Sequence, residues 1–433
     1  MSYKKNIASN FITQIIRLIL GFVTSILIAR ALGAEGKGYI AYFLLIFGLI
    51  AGYGHFGINN ATTYFQKRSS YQENDVYNVN ISYLLIISFF ISISIIFLKY
   101  YGFILSEYNW LIVITGLIYI FLIFLTTCTN SFYIGNERIL ESNKYILSTQ
   151  FIYFLVIVVF YLKNQLTIYI YFSALVIATI LTLLLLLKNL RLKYKFQIDF
   201  QLLKKEFKYG IIIYFSALFI YLNYRADQYL IKKMLGNSQL GIYSIAVTLA
   251  ELVFLVPGSV TTAITGKLYN IDKKSNERKY ITSTTIKYTF YISFVVSVIG
   301  MFMTPLITIV YGQDFAKASQ VTTILFIGII FASIGKVSAP YFFTKGIPQV
   351  HLFITSIVLL LNISLNLVLI PKLGINGAAI ASTVSYIIYG LMYIYYFVTK
   401  EKFTIRELLI FNEMDFDYIK KIIRQILGKI DKI

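Results

Sequence analysis

The chain has 433 residues, of which 58% are apolar, 17% aromatic and 13% charged. Soluble globular domains run nearer about 45–50% apolar, so an ordinary soluble enzyme is excluded. A single cysteine, Cys128, and two histidines, His55 and His351, exclude an intrachain disulfide and a cysteine metal cluster, and no cofactor is expected.

Lys4 and Lys5 lead directly into a full-length apolar run with no small-residue cleavage site before it, so a removable signal peptide is not expected. A bilayer crossing takes about 20 apolar residues. The pattern predicts twelve crossings: 9–30, 38–65, 79–98, 110–134, 145–162, 166–187, 210–231, 239–265, 281–305, 319–343, 350–370 and 376–398. Most are apolar on every side, unlike surface helices. Beyond them, Ile419, Ile422, Ile423, Ile426, Leu427 and Ile430 fall on one arc of a helix, with Lys420, Lys421, Arg424 and Lys432 opposite. That is the pattern of a basic amphipathic helix lying on a membrane surface. The expected organisation is a first lobe over 1–190, a basic cytoplasmic linker over 191–209, a second lobe over 210–400 and a cytoplasmic tail over 401–433.

The net charge of +20 follows topology. With the N-terminus inside, the outer loops and span ends hold only Arg30, Lys37, Lys99, Lys163, Lys232, Lys233, Lys317 and Lys372. Apart from three cations within spans, the remaining lysines and arginines lie on the inner side. The positive-inside rule then places both termini in the cytoplasm. The charge speaks for anionic lipid as a partner and against nucleic acid.

One motif occurs twice. Leu32-Gly33 is followed by Gly38-Tyr39, and Leu235-Gly236 by Gly241-Ile242-Tyr243, each between apolar runs. In so apolar a chain this duplication predicts two six-helix lobes on one plan, as in many secondary transporters. Gly135 after Phe132-Tyr133 and Gly346 after Phe342-Phe343 form a second pairing. Gly52-Tyr53-Gly54-His55-Phe56-Gly57 matches a dinucleotide fingerprint in letters only, since no strand precedes it. Its glycines are expected to loosen the helix or to let neighbouring helices approach. The triplets at Asn60, Asn80 and Asn362 are formal glycosylation acceptors, but they lie in spans or on the inner side and carry no expectation. No nucleotide-binding loop is present, so an ATP motor within this chain is excluded. The outer loops are too short to house an external active site, and no enzyme activity is expected.

Charges within spans are the strongest functional signal, because each costs at least about 2.5–3.5 kcal/mol at a span centre unless it faces protein or water. They are Arg17, Arg225, Lys336, Asp227 and Glu251. Arg17 falls in the inner half of span one and Glu251 near the middle of span eight. Arg225 and Asp227 are two residues apart on span seven, so they do not face each other. Asn10, Thr13, Gln14 and Arg17 make a polar stripe on span one, and Asn223 continues the theme on span seven. The pattern predicts a wet cavity lined by Asn10, Gln14 and Asn223. Arg17, Arg225 and Lys336 would bind a phosphate or pyrophosphate there, because guanidinium stays charged and grips phosphate oxygens in pairs.

The stretch ILIARALGAEGKGYIAYF (26–43) resembles the opening motif of the polysaccharide-biosynthesis flippases, the O-antigen and oligosaccharide-lipid exporters related to the multidrug-extrusion carriers. RADQYLIKKMLGNSQLGIYSIAVTLAELVFLVPGSV (225–260) resembles the start of their second lobe, and LIPKLGINGAAIASTVSYII (369–388) the segment before their last helix. The resemblance implies a twelve-helix, two-lobe carrier in a bacterial plasma membrane. Its substrate would be an undecaprenyl-pyrophosphate-linked oligosaccharide, flipped by alternating access, with Glu251 or Asp227 coupling an ion. A polymerase and glycosyltransferases of the same pathway would be partners. Two alternatives stand beside it: a multidrug or metabolite antiporter on the same fold, and a non-transporting scaffold for glycan assembly.

Overall fold

The computed structural model describes residues 3–68, 71–190, 192–272 and 275–411, without the side chains of 3–11, 60, 67–68, 209–210, 212–213 and 262–263. The amphipathic helix expected over 416–433 lies outside the described residues. Within them the chain is helical, with no strand. Hydrocarbon leaves no solvent to satisfy backbone polar groups, and a helix satisfies its own.

Nine helices among the described residues are long and apolar enough to cross a membrane. Three of these stretches run to 42, 56 and 52 residues, and each is broken at a glycine. Helix α1 (Tyr3–Tyr53) turns at Gly33, with φ 65°. Helix α7 (Phe200–Glu251) turns at Gly236, with φ 85°. The long helix α12 (Pro348–Thr399) turns at Gly374. Left-handed φ is inexpensive only without a Cβ. In each case the glycine follows a leucine, and counting each broken stretch as two yields twelve segments. The remaining helices are α2 (Ile58–Arg68), α3 (Glu73–Tyr100), α4 (Trp110–Gly135), α5 (Ile139–Leu162), α6 (Ile168–Lys188), α8 (Leu255–Tyr269), α9 (Asn276–Met303), α10 (Leu306–Tyr311), α11 (Ala316–Lys345) and α13 (Ile405–Leu409).

The chain forms two compact units. The first comprises Met1–Tyr221, Leu235–Ile242 and Thr308–Phe315; the second holds Leu222–Met234, Tyr243–Ile307 and Ala316–Ile433. In the first unit, α1 packs on α5 and α4 packs on α6; in the second, α11 packs on α12, α9 and α8.

Both copies of the duplicated motif meet inside the first unit. A Cβ on Gly38 would lie 1.8 Å from the carbonyl oxygen of Asn237, and one on Gly241 would lie 2.0 Å from that of Ala34. Asn237 and Ala34 each follow the turn glycine of their own copy, and Gly38 and Gly241 each come five residues after it. The two segments therefore contact each other reciprocally, backbone on backbone, as a two-fold relation requires.

Span two departs from the expected single helix. Residues 54–57 form a turn, with Phe56 at φ 50° and Gly57 at φ 83°, and α2 starts after it. His55 Nδ1 accepts the Gly57 N–H at 3.1 Å, which fixes the turn. The fingerprint-like glycines are thus a helix break.

The basic stretch after α6 is also ordered. The N–H groups of Lys193, Lys195 and Gln197 donate to Asn74 Oδ1, Asn78 Oδ1 and Ser82 Oγ at 3.1, 2.9 and 3.0 Å. Two extended residues advance about 6.6 Å and four helical residues about 6 Å, so the periods match and the segment runs along α3 as a strap.

The reciprocal glycine contact generates a prediction. Gly241→Ala should cost about 1–3 kcal/mol, because backbone rather than a flexible side chain must move. Gly21→Ala on α1, with nothing within 4 Å of the added carbon, should be neutral or stabilising by up to about 1 kcal/mol. Thermal unfolding of the purified protein in detergent checks both; equal behaviour of the two variants would refute the contact.

Candidate functional site

Four of the five intramembrane charges lie in the second unit, and each is met by a different kind of group. Arg225 donates from Nη1 and Nη2 to Glu251 Oε1 and Oε2 at 2.8 and 2.9 Å, a two-pronged pair. About a quarter of each side chain is exposed (27% and 24%), so the pair is neither sealed in nor bathed in water. Glu251 ends α7, and a short 3-10 turn, Leu252–Phe254, follows before α8. The carboxylate thus stands at a break in its span.

Lys336 on α11 lies over the rings of Phe254 at 3.8 Å and Tyr224 at 5.5 Å. Aromatic faces stabilise an ammonium in an apolar setting. Its charge also acts on Arg225 and Glu251. Arg225 also acts on the nearby Asp227 carboxylate, so the locus gathers two cations and two carboxylates.

Asp227 is fully buried. Its Oδ1 accepts the Gln228 N–H at 2.6 Å. Its Oδ2 accepts hydroxyls from Tyr243 at 2.5 Å and Ser382 at 2.9 Å. Ser382 in turn accepts from Asn362 Nδ2 at 3.3 Å, and Asn366 Nδ2 donates to Asn362 Oδ1 at 3.0 Å. Asn366 Oδ1 is buried without a hydrogen-bond partner. A carboxylate and amide oxygens in a closed setting are the donor set of a small hard cation, or of a proton. Asn223, also buried, leaves its Oδ1 without a partner.

Arg17 and Gln14 are exposed on α1 in the first unit. The Asn10 side chain lies outside the described residues. The structure brings together Arg225, Glu251 and Lys336, and separately joins Asp227 to Ser382, Asn362 and Asn366. The expectation that Arg225 and Asp227 do not pair agrees with the geometry, in which Arg225 turns to Glu251 instead. The two asparagines were readable as an i, i+4 polar pair in an apolar span; Tyr243 and Ser382 carried no comparable signal.

The family model described as "Polysaccharide biosynthesis protein" matches residues 3–269, more than half of the chain. The chain belongs to that family of multi-pass membrane proteins. A second family model, MatE, matches residues 213–368. The capsular polysaccharide biosynthesis protein CapF of Staphylococcus aureus is 23% identical over 197 residues, covering 45% of this chain and 50% of CapF. The chain thus spans about half the length of that curated relative. Among solved structures, an inward-facing multidrug resistance MATE family transporter of the MOP superfamily superposes with a TM-score of 0.73 at 15% identity, covering 88% of this chain and 93% of the other. The lipid II flippase MurJ, in an inward closed conformation, also gives 0.73, at 20% identity over 92% and 88%. These likenesses establish the fold.

The paired ions yield a second prediction. Hydrogen bonds between charged groups contribute about 1.5–3 kcal/mol. Arg225→Ala and Glu251→Ala should each destabilise by about 1–3 kcal/mol, and the double variant by at least about 1 kcal/mol less than their sum. Additive losses in thermal unfolding would show that the pair does not form.

Proposed function

We propose that this chain is a flippase for an undecaprenyl-pyrophosphate-linked oligosaccharide, of the capsule or O-antigen type, moving it from the inner to the outer leaflet of a bacterial plasma membrane. Arg225 carries the reading. Its guanidinium fork already grips two carboxylate oxygens, and a phosphate presents the same two-oxygen face. Family membership and the fold shared with a lipid II flippase support a lipid-linked substrate.

In this mechanism the pyrophosphate replaces Glu251 on Arg225, with Lys336 supplying further positive charge beside Asn223; Arg17, Asn10 and Gln14 are proposed as separate headgroup contacts on the first unit. The lipid tail stays in the bilayer. Protonation of Glu251 frees the guanidinium for substrate, and its ionisation expels the headgroup. Asp227, with Ser382 and the asparagine amides, holds the coupling ion. The two conformations are biased by which of these ligands is bound. Cation exporters need the opposite field, with acidic groups free to meet the substrate.

A multidrug antiporter is the second reading, favoured by the MatE match and by the rings of Tyr224 and Phe254 beside Lys336. The scaffold alternative predicts that the cytoplasmic basic segments matter more than either arginine.

The three separate in a strain lacking the protein, complemented with Arg17→Ala, Arg225→Ala, Glu251→Gln and Asp227→Asn. Each arginine variant should lower surface glycan by about tenfold or more, the loss of about 1.4 kcal/mol of binding, while lipid-linked sugar accumulates on the inner leaflet at normal protein levels. Normal glycan display by all four variants would overturn the flippase mechanism. Transport of cationic drugs that survives Arg17→Ala would favour the antiporter.

A further inference from the structure

The first unit holds a buried carboxylate that the proposed transport site does not use. Glu206 lies in the second turn of α7, four residues before the predicted start of span seven, and is 1% exposed. Its Oε1 accepts Asn80 Nδ2 from α3 at 3.0 Å, and its Oε2 has no hydrogen-bond partner. Asn80 is fully buried; its Nδ2 also donates to Thr62 Oγ1 on α2 at 2.9 Å, while its Oδ1 has no donor. Thr62 passes its own hydroxyl proton to the Ile58 carbonyl at 2.9 Å, so it has none to offer Glu206. One turn further along α2, the Gln66 amide occupies the space that a side chain on Gly135 would fill, and neither of its polar atoms has a partner.

An ionised carboxylate left in this state would be a buried charge met by a single amide N–H, which is strongly unfavourable. A carboxylic acid fits the same atoms. Its Oε1 keeps the amide donor, and a proton on Oε2 turns an oxygen without a donor into a hydroxyl donor, while Asn80 Oδ1 is a buried acceptor that lacks one.

We infer that Glu206 and Asn80 form a proton-binding site, and that the bound proton latches the first turns of α7 to α3. The strap of 193–197 is stitched to the same helix through Asn74, Asn78 and Ser82, so the proton closes the end of a continuous seam. Release of the proton places an uncompensated charge in that seam and loosens the entry to α7.

The titratable neighbours support the assignment. Burial pushes the Glu206 carboxyl up to about 8, opposed only by the Asn80 amide. From α4, Cys128 is near enough for charge to act between its thiol and Glu206, and Tyr77 of α3 acts on Cys128 in turn. On its own helix, Lys204 and Lys205 are exposed, and Lys205 Nζ lies 5.1 Å over the Tyr71 ring. The side chains of Lys67 and Arg68 on α2 lie outside the described residues.

The test needs no transport, so its failure is separable from failure of the flippase reading. Infrared difference spectroscopy on the full chain in lipid nanodiscs reads the carbonyl stretch of a protonated carboxyl as pH is raised. The expected result is a band present at neutral pH that fades with a midpoint near about 8 and is missing in Glu206→Gln. Glutamate-specific isotope labelling of the unmodified protein assigns the band should the variant fold poorly. Because the folded chain holds this proton where the unfolded chain releases it, the wild type should lose stability relative to Glu206→Gln from about pH 4.5 to about pH 8, with the difference constant above that. Identical spectra for wild type and variant at every pH overturn the proposal. A midpoint that moves with sodium concentration overturns it in favour of a metal cation. A midpoint unmoved by Asn80→Ala overturns the pairing with the amide.

Discussion

A charge within hydrocarbon must be met by another charge, by dipoles or by a proton, and Arg225, Glu251, Lys336 and Asp227 show the first two. Arg225 and Glu251 meet as opposite charges. Lys336 rests on two aromatic faces, and Asp227 accepts two hydroxyls and a backbone N–H. The same need governs the helix ends. Lys99, at the end of α3, donates to the carbonyls of Leu105 and Tyr108. Arg30 donates from Nε to Val310 and from Nη2 to Ile309, capping the last carbonyls of α10. Fully buried Arg278 does the same for α8, bonding the carbonyls of Leu268 and Ile271. These cations are structural because their donors are taken up by fixed backbone. Arg225 differs, since its partner is a carboxylate that can be neutralised.

Glycine supplies the second constraint. The turn at Gly33 and the turn at Gly236 both rest on left-handed φ, and the glycines five residues later let two backbones touch. Duplication of a short motif is thereby explained physically. Each copy furnishes a bare Cα for the other copy's carbonyl, so neither glycine can change alone without displacing its counterpart's backbone.

Span count, the glycine breaks and the intramembrane charges were legible in the sequence because each rests on a one-dimensional signal: apolar length, a repeat, or a charge in the wrong solvent. Partners were not legible. Arg225 and Glu251 are 26 residues apart on a helix broken at Gly236, and no periodicity links them. The basic stretch after α6 looks like a plain linker by composition, although Asn74, Asn78 and Ser82 wrote the strap's register four residues apart on α3. By sequence Asn80 and Asn362 only begin formal glycosylation triplets. Both prove to be buried amides bridging polar groups, Glu206 in one case and Ser382 in the other. In a membrane span, an asparagine is more informative for what it bonds than for the triplet it begins.

Glu251, Asp227 and Glu206 differ in what neutralising them would release. Protonating Glu251 frees a guanidinium, a cation that then needs a new anion. Asp227 already accepts two hydroxyls and a backbone N–H, so a positive ion bound there, proton or metal, must share oxygens that are in use. Protonating Glu206 disturbs nothing, because its free oxygen has no donor to lose. In the proposed roles Glu251 exchanges ligands, Asp227 holds a positive ion, and Glu206 rests neutral until the pH rises. The proposed division follows the donor inventories, and it gives the exchange of ligands to Glu251, whose two oxygens an arginine holds.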